Sequence, residues 1–486
     1  NLNKLLIRIL LHLQVEFSKF IHMNAQYKKG FVYFICLVSA MGGLLFGYDW
    51  VVIGGAKPFY EPYFGITDDN TMRAVAMSVA LLGCLVGAMI AGVLADKYGR
   101  KRLLIVAALV FFFSSLSTGM ADYFVIFVIS RFIGGIAIGL AADVSPMYIA
   151  EIAPRSVRGK LVSLNQLTTV LGILSAQIVN MLIAESVAPD ATVADIAASW
   201  NGTMGWRWMF YAVCFPSFLF FVLVFFIPES PRWLIQKGNE RQAMIALERI
   251  GNREYALAEC AGYRESDAEA KKHGKGAVKQ LFSKKMRLVL SIGLVIAVFQ
   301  QWCGINVIFN YAQEIFQAAG YGVSDILMNI VVTGIANLIF TFVAIFTVEK
   351  LGRKKLILIG SGGLLFIYSI LAWCYFVHAS GIFMIILVVC AIGLYAMSLG
   401  PIAWVLLSEI FPNAVRGVAM AVCTGALWVA SFLLTYTFPF LNSGLGTGGT
   451  FLLYTFICLL GFLFTLKYIP ETKGKSLEDL EKELVK

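Results

Sequence analysis

Three amide side chains, Gln300, Gln301 and Asn306, lie close together in an apolar segment that begins after Arg287. The first of them is about 13 residues into the segment, which places it deep among apolar neighbours if the segment is helical. An unpaired polar group in such surroundings costs several kcal/mol. Because an amide both donates and accepts hydrogen bonds, the stretch favours a cavity for a neutral, hydroxyl-rich ligand such as a sugar. The alternative is that the amides only link neighbouring helices.

The spacing of two of these amides poses a geometric question. On an unbroken helix the side chains of Gln301 and Asn306 would point about 140° apart. Either Gly304, which lies between them, loosens the helix, or the two amides serve different neighbours.

The composition indicates the class of protein in which these residues lie. The 486 residues are 59% hydrophobic and 14% charged, and the mean hydropathy is +0.79. An ordinary soluble protein is excluded, and the lipid bilayer is the expected environment. The net charge of +10 does not indicate binding of nucleic acid, because the basic residues cluster in short loops beside apolar segments. The excess of basic residues in the cytoplasmic loops of membrane proteins explains this placement.

The apolar segments number about twelve, each about 20 residues long and able to cross ~30 Å of hydrocarbon. We predict an all-α membrane protein with spans near 31–55, 72–95, 103–121, 124–150, 160–184, 206–227, 287–313, 325–348, 356–378, 381–407, 418–440 and 450–469.

The basic loops predict the orientation. The segments 96–102, 155–160, 229–286, 349–355 and the tail carry the basic residues and should face the cytoplasm, with both termini inside. The opposite loops, such as 57–71 and 186–205, carry more acid and little base. Nine cysteines without a CxxC pair give no disulfide or metal pattern, and no cofactor is expected.

Residues 1–22 do not fit this pattern. They precede Met23, after which the sequence is typical of a short cytoplasmic start, so we interpret 1–22 as an extension from cloning or a misplaced gene start. The alternative is an amphipathic helix on the membrane surface.

The chain repeats itself at long range. Residues 96–101 (DKYGRK) recur as 349–354 (EKLGRK), and 151–159 (EIAPRSVRG) recur as 409–417 (EIFPNAVRG). The short motif PES at 228–230 recurs as PET at 470–472. These repeats predict two pseudo-symmetric six-span bundles, 23–228 and 287–470, joined by a cytoplasmic helical linker at 229–286 and followed by a cytoplasmic tail at 471–486. Two such bundles around a midplane site describe the major facilitator fold.

One charge, Asp49, lies in the first span. Because a carboxylate is costly to bury in hydrocarbon, we expect Asp49 to have a functional role. It lies about eight residues, or roughly 12 Å, from the far end of the predicted span. Arg131 lies about as deep in the fourth span, so an ion pair is possible. Protonation of Asp49 would break the pair, which would make the pair a proton-coupling device. The alternative is a static buried salt bridge.

Several motifs together resemble the sugar porter family. They are GRKR and GRKK after the second and eighth spans, PESPRWL at 228–234, QQ at 300–301 with GIN at 304–306, and PETKG at 470–474. The resemblance covers essentially everything after residue 30 and, within the family, is strongest to the bacterial xylose–proton symporters. It implies that Asp49 is the proton-linked aspartate, where facilitative glucose carriers have asparagine.

The resemblance also implies a sugar cavity. Amides would bind the hydroxyls and aromatic faces would pack on the C–H side of a pyranose, although simple packing explains the aromatics equally well. The implied substrate contacts are Phe46, Gln166, Gln300, Gln301, Asn306, Asn337, Trp404 and Trp428.

A third set of residues is implied to form a cytoplasmic gate, with salt bridges and helix-end contacts across the two halves that hold the outward-open state together. Anchoring and topology explain the same charges about as well. The set comprises Asp96, Arg100, Glu151, Arg158, Glu229, Arg232, Glu349, Arg353, Glu409, Arg416 and Glu471.

The sequence departs from the xylose–proton symporters at several places. Leu427 and Ile173 stand where those symporters have glutamine, and Asn310 replaces the first of two tyrosines. Trp50 is bulkier than the usual neighbour of the aspartate, and Asp143 replaces an apolar residue. Asp143 is either a second protonation site or a group that reaches cytoplasmic water. These departures leave the sugar open.

The expected function is import of a neutral monosaccharide, D-xylose or a hexose such as glucose, coupled to a proton across a bacterial inner membrane. The chain is expected to act as a monomer. An uncoupled sugar uniporter with the same cavity is the alternative, and a sugar sensor without transport is a further one. An enzyme ranks last, because no spacing of His, Asp or Cys forms a nucleophile or metal site.

Overall fold

The computed structural model describes residues 26–473 apart from 155, 189–190, 274–276 and 413–414, and describes the backbone alone at 266–273, 277 and 349. The extension predicted at 1–22 and most of the predicted tail lie outside the described residues. The described part is almost entirely helical.

Eleven helical segments in the described residues are long and apolar enough to cross a membrane. The last, Arg416–Tyr468, is 53 residues long and contains a non-helical residue, Gly446, at φ 67° and ψ 171°. It is therefore two spans joined without a loop, and the prediction of about twelve spans is confirmed.

The N half, as we call residues 29–224, contains the first six spans. Its helices are α1 (Lys29–Phe64), α2 (Asn70–Tyr98), α3 (Arg100–Gly119), α4 (Phe124–Ile152), α5 (Arg158–Ile183), a short α6 (Val193–Ala198), and α7 (Trp206–Ala212) with α8 (Cys214–Val224) in the sixth span.

A linker of short helices follows the N half. It comprises α9 (Pro231–Gln236), α10 (Glu240–Ile250), α11 (Arg253–His273) and α12 (Ala277–Leu281). We call the end of the bundle that carries these helices the linker end, and the opposite end the far end.

The C half, as we call residues 287–468, contains the remaining spans. Its helices are α13 (Arg287–Trp302), α14 (Ile305–Asn310), α15 (Ala312–Ala318), α16 (Val323–Leu351), α17 (Arg353–Phe376), α18 (Ile382–Met397), α19 (Leu399–Ile410) and α20 (Arg416–Tyr468).

The first span is longer than predicted. We expected it to end near residue 55, but α1 continues to Phe64 and ends at Gly65 in the left-handed conformation, φ 63°. Asp69 then caps the beginning of α2, because its Oδ1 accepts hydrogen bonds from the backbone N–H groups of Thr71 and Met72 at 2.8 and 3.0 Å. The prediction of a loop over 57–71 was therefore wrong for its first eight residues, which are helical and include Lys57 and Glu61.

Small residues let the helices of the N half approach closely. A Cβ on Gly47 of α1 would lie 1.9 Å from the backbone oxygen of Thr169 in α5, and a Cβ on Gly172 would lie 2.1 Å from the oxygen of Leu44. Backbone contact of this kind is typical of helix association in membranes. It holds α1, which carries Phe46 and Asp49, at a fixed position against α5.

The two halves meet along two helix pairs. α2 packs against α20, and α5 packs against α16. Large apolar side chains, such as Phe215, Phe346 and Trp373, are exposed on the bundle's surface, as expected where lipid replaces water. The fold is that of an all-α major facilitator.

Candidate functional site: a sugar cavity beside a buried ion pair

The seventh span breaks within the amide stretch. Gly304 separates α13 from α14 and has φ 89°, a backbone conformation that favours glycine. Space requires glycine there too, because a Cβ would lie 2.8 Å from Cγ of Tyr454. Of the two possibilities raised by the spacing of Gln301 and Asn306, the structure selects the first.

The break brings the three amides into one chain of hydrogen bonds. Asn306 Nδ2 donates to Gln301 Oε1, and Gln301 Nε2 donates to Gln300 Oε1 at 2.5 Å. Gln300 Nε2 donates in turn to the hydroxyl of Tyr395 in α18 at 2.8 Å. The chain satisfies one donor on each buried amide without a ligand, and its last bond also links two helices.

This chain leaves capacity for a ligand. Each amide nitrogen has two N–H groups and each amide oxygen has two lone pairs, and each group in the chain uses one. Sugar hydroxyls can pair with the remaining positions, or replace the amide-to-amide bonds, without leaving a buried polar group unpaired.

An aromatic cluster joins the two halves. The ring of Phe46 lies 5.4 Å from Trp50 and 5.8 Å from Trp428, and the two tryptophan rings lie 6.4 Å apart. Trp428 belongs to α20 of the C half and the other two belong to α1. Nε1 of Trp428 is buried without a hydrogen-bond partner, so it is a donor that a ligand hydroxyl could use.

Three further predicted contacts lie on separate helices. Asn337 in α16 is buried, with 5% of its surface exposed, Trp404 in α19 is half-buried and Gln166 in α5 is exposed. In the part of the chain that the structure describes, no direct hydrogen bond joins these side chains to the amide chain.

Asp49 and Arg131 form the predicted ion pair. Arg131 Nη1 donates to Asp49 Oδ1 at 2.5 Å, and each side chain is 5% exposed. Asp49 is 15 residues from the end of α1 rather than about eight, because the span is longer than predicted. A buried carboxylate in this position is stabilised by its cation, and removal of either partner would leave an unpaired charge.

The pair lines a pocket with residues from both halves. Phe46, Trp50 and Asn310 share its wall with Asp49 and Arg131. Asn310 is the last residue of α14, the helix that carries Asn306 of the amide chain, and its Oδ1 is buried without a partner. The carboxylate and α14 of the C half therefore face a common space.

Asp143 is half-buried in α4. No cation of the described residues lies within ion-pair distance of its carboxylate. The structure therefore does not pair it as it pairs Asp49, and both interpretations of Asp143 stay open.

The predicted gate residues of the N half form one network at the linker end. Arg100 Nη2 contacts Glu151 Oε1 at 2.9 Å and Asp96 Oδ1 at 3.2 Å. Glu229 Oε1 accepts hydrogen bonds from the backbone N–H groups of Arg100 and Lys101 at 2.9 and 3.0 Å. Glu229 thereby stabilises the beginning of α3, as a carboxylate at a helix N-terminus does.

The C half repeats this arrangement. Arg353 Nη2 contacts Glu409 Oε1 at 2.9 Å, and Glu471 Oε1 accepts from the backbone N–H of Arg353 at 2.9 Å. Thr472 donates to Glu409 at 2.5 Å, as Ser230 donates to Glu151 at 2.5 Å. The side chain of Glu349 lies outside the described part.

Of the remaining gate residues, Arg232 lies in α9, and Arg158 and Arg416 make local contacts. Arg158 Nε donates to the backbone oxygen of Ala153, and Arg416 donates to that of Phe411. The linker joins the N half as Tyr263 donates to the backbone oxygen of Glu151 at 2.7 Å, and burial raises the pKa of the Tyr263 phenol, which keeps it a donor.

Each described ion pair between gate residues joins partners within one half. We expected contacts across the halves at this end, and none of these described ion pairs is of that kind. The two networks are matched clusters, one in each half. The gating role stays a prediction.

Four charged residues at the far end were missed from the sequence. They are Lys57, Glu61, Arg73 and Glu314, and they form buried ion pairs. The first two were assigned to a loop, although their spacing of four residues allows contact on one helix face. No pattern in the sequence indicated that Glu314 approaches them.

Comparison with known proteins places this geometry in a family. Residues 35–484 match the model of the family described as "Sugar (and other) transporter". The chain is 38% identical to the D-xylose-proton symporter of Escherichia coli (strain K12), an alignment that covers 94% of this chain and 97% of the relative. It is 36% identical to the arabinose-proton symporter of Bacillus subtilis (strain 168), with 96% and 97% covered.

Solved structures agree with the sequence relatives. The inward open conformation of the xylose transporter XylE from E. coli superposes with a TM-score of 0.79 at 35% identity, covering 93% of this chain and 100% of that one. XylE bound to 6-bromo-6-deoxy-D-glucose gives a TM-score of 0.77 at 36% identity, with 94% and 100% covered. From its spans, its repeated halves and these matches, the chain belongs to the sugar transporter family of the major facilitator superfamily.

Proposed function

We propose that the protein imports a neutral monosaccharide, D-xylose or a hexose such as glucose, together with a proton. The observation that carries the proposal is the Asp49–Arg131 pair, buried in the membrane-spanning bundle and lining one pocket with Asn310. The relatives named as xylose-proton and arabinose-proton symporters support both the substrate class and the coupling.

The sugar would bind between the amide chain and the aromatic cluster. Gln300, Gln301 and Asn306 would pair with its hydroxyls, and Phe46 and Trp428 would cover its apolar face. Uncharged amides and aromatic rings give specificity without a net charge in the cavity. Gln166, Asn337 and Trp404 would complete the wall from the other helices.

Asp49 would carry the proton. When its carboxylate is charged, Arg131 neutralises it, and when it is protonated the pair loses its attraction. α1 would then be free to shift relative to α4 during the change of access. One proton moving down about 100 mV supplies roughly 2.3 kcal/mol, which supports about fifty-fold accumulation of a neutral sugar.

The linker end would face the cytoplasm. The basic segments 96–102 and 349–355 lie there, as positive-inside sorting requires, and both termini would then be cytoplasmic in a bacterial inner membrane. The far end would face outside. We propose the units 23–228, 229–286, 287–470 and 471–486 as two bundles, a linker and a tail, acting as a monomer.

The residues at which the sequence is expected to depart from the xylose–proton symporters would set the preferred sugar. Leu427, which is 5% exposed beside Trp428, offers no hydrogen bond to a sugar hydroxyl. Ile173 likewise removes a polar contact, whereas Asn310 adds an amide. The preferred sugar is therefore expected to differ from that of a cavity with glutamine at both places.

Purified protein in liposomes tests the proposal. A panel of pentoses and hexoses is offered with and without an inward proton gradient, and sugar and proton fluxes are measured together. We expect concentrative uptake of at least one monosaccharide with the gradient. Equal uptake with and without it would indicate the uncoupled uniporter, and saturable binding without flux would indicate the sensor.

A further inference from the structure

Four charges at the far end, two buried and two half-buried, form one cluster from three helices. Lys57 Nζ contacts Glu314 Oε1 and lies 3.7 Å from Glu61 Oε1. Arg73 Nη2 contacts Glu314 Oε1 at 2.7 Å, and its Nε lies 3.1 Å from Glu61 Oε2. Two cations and two carboxylates alternate, so the cluster is neutral as a whole.

The cluster bridges the halves. Lys57 and Glu61 belong to α1 and Arg73 to α2, which are in the N half, whereas Glu314 belongs to α15 of the C half. The side chains of Lys57 and Glu61 are 0% and 4% exposed, and those of Glu314 and Arg73 are 13% and 19% exposed. Charges this deeply buried are tolerated because they are paired.

An aromatic ring supports the cation that joins the halves. Lys57 Nζ lies 4.4 Å from the ring centre of Tyr311, a cation–π contact. Tyr311 in turn donates to the backbone oxygen of Thr435 in α20 at 2.7 Å. Lys57 of the N half is thus held by two groups of the C half, a carboxylate and a ring, that lie three residues apart.

Other polar contacts between the halves lie at the same end. Asn70 Nδ2 donates to Ser443 Oγ at 3.0 Å, and the backbone N–H of Val187 donates to Ser324 Oγ at 3.0 Å. At the linker end, the described pairs Arg100–Glu151 and Arg353–Glu409 each lie within one half. The contacts of Asn70 and Val187 therefore add to the polar link that the cluster makes between the two halves at the far end.

The cluster is connected to the sugar-binding helix. Glu314 follows Asn306 by eight residues, and the intervening segment is the short helix α14 and the first turn of α15. A movement of α14 that accompanies sugar binding at Asn306 would displace Glu314 relative to Lys57 and Arg73.

We propose that Lys57, Arg73 and Glu314 form an ionic gate that closes the far end of the sugar cavity, with Glu61 holding both cations in place. The inference rests on the proposed transport function, in which the cavity opens first to one side of the membrane and then to the other. Opening the far end separates Glu314 from the two cations, while Lys57, Glu61 and Arg73 stay together in the N half.

The same arrangement explains how such a gate can reopen. Water enters the far end as the halves separate, so both sides of the broken pair become hydrated rather than stranded in hydrocarbon. Hydrated ion pairs are weak. The closed gate therefore holds a defined set of ion pairs because water is excluded from it. It is reversible because water enters and hydrates the charges when it opens.

Hydrogen–deuterium exchange of the full-length protein in detergent micelles tests the gate. In Glu314→Gln the carboxylate loses its charge with little change in shape. We expect amides of residues 57–73 and 311–318 to exchange about tenfold faster or more, given the loss from breaking a buried pair. Amides near 96–102 and 351–355 should exchange more slowly, because the linker end closes as the far end opens.

Two further variants keep the outcome decisive. Lys57→Met should shift exchange in the same direction, whereas Glu314→Asp, which keeps the negative charge that faces Lys57 and Arg73, should exchange more nearly as the wild type does. Asp122→Asn is the matched control, because Asp122 pairs with Arg207 at 2.8 Å within the N half at the far end.

Two results would overturn the gate. One is a uniform change in exchange along the chain in Glu314→Gln, and the other is a change no larger than in Asp122→Asn. Sugar flux of the wild type in liposomes is measured in parallel. If the wild type moves no sugar while the variants still redistribute exchange between the two ends, the proposed function fails and the ionic contact between the halves stands.

Discussion

Asn306 donates a hydrogen bond to Gln301 across the break at Gly304, although an unbroken helix would hold the two side chains about 140° apart. The break therefore creates the amide chain rather than merely interrupting the span. It also places α14 and α15 as a separate short segment between the sugar cavity and the charges at the far end.

Gly304→Ala should weaken sugar binding. The left-handed backbone at φ 89° costs a residue with a Cβ about 1–2 kcal/mol, and Tyr454 occupies the space a Cβ needs. We expect affinity about tenfold lower, measured by calorimetry on purified protein. Gly425→Ala is the control, since a Cβ there meets nothing within 4 Å. Unchanged affinity in Gly304→Ala would show that the helix break at Gly304 does not contribute to sugar binding.

Gln300→Ala should reduce affinity through the lost amide. The variant removes the partner of Tyr395 and of Gln301, so about one net hydrogen bond, on the order of 1 kcal/mol, is lost with the sugar bound. We expect affinity roughly fivefold lower by the same calorimetry. Gln280→Ala, an exposed amide in the linker, should bind as the wild type does. Wild-type affinity of Gln300→Ala for every sugar would show that the cavity lies elsewhere.

The amides and the Asp49–Arg131 pair could be predicted because polar residues stand out in an apolar segment. The far-end charges could not be predicted, since the apolar segment of the first span stops at Lys57 while the helix continues to Phe64. Whether a charge at a span's end is solvated or buried depends on what packs against it. For Lys57 that is Glu314, 257 residues away, and no local pattern encodes this contact.

The linker-end charges illustrate a different limit. Their repetition in 96–101 and 349–354 predicted equivalent roles in the two halves, and the structure gives each half the same contacts. Whether a contact lies within one half or joins the two halves could not be predicted, because a charge pattern specifies possible partners but not the relative position of two bundles. The described pairs Arg100–Glu151 and Arg353–Glu409 each join partners within one half.

Glu229→Gln and Glu471→Gln should each lower thermal stability. Each carboxylate accepts backbone N–H groups at the start of a helix, α3 or α17, and the amide keeps an acceptor but loses the charge that favours this position, worth about 0.3–1 kcal/mol. We expect similar decreases in the midpoint of thermal unfolding for the two variants, followed by intrinsic fluorescence in detergent.

Glu265→Gln is the control for this pair, since Glu265 is an exposed residue in the linker and lies inside α11, away from a helix N-terminus. A large decrease for one half beside none for the other would contradict the structural equivalence of the two networks. Loss of transport without loss of thermal stability would instead point to the gating role that the sequence suggested.

Asp49→Asn should uncouple sugar movement from protons. The amide keeps the size of the carboxylate and can still accept a hydrogen bond from Arg131, but it cannot cycle between charged and neutral forms. We expect no alkalinisation of the medium when sugar is added, while exchange of sugar across the liposome membrane continues. The measurement is simultaneous recording of external pH and labelled sugar.

A second variant for this experiment changes Asp143. Asp143 lies in α4, as Arg131 does, but no described cation is paired with its carboxylate, so a single coupling site requires Asp143→Asn to keep proton uptake. If both variants halve the number of protons taken up for each sugar, coupling is shared between two carboxylates. If Asp49→Asn takes up protons as the wild type does, Asp49 is a structural charge held by Arg131, and the proton must enter by another group.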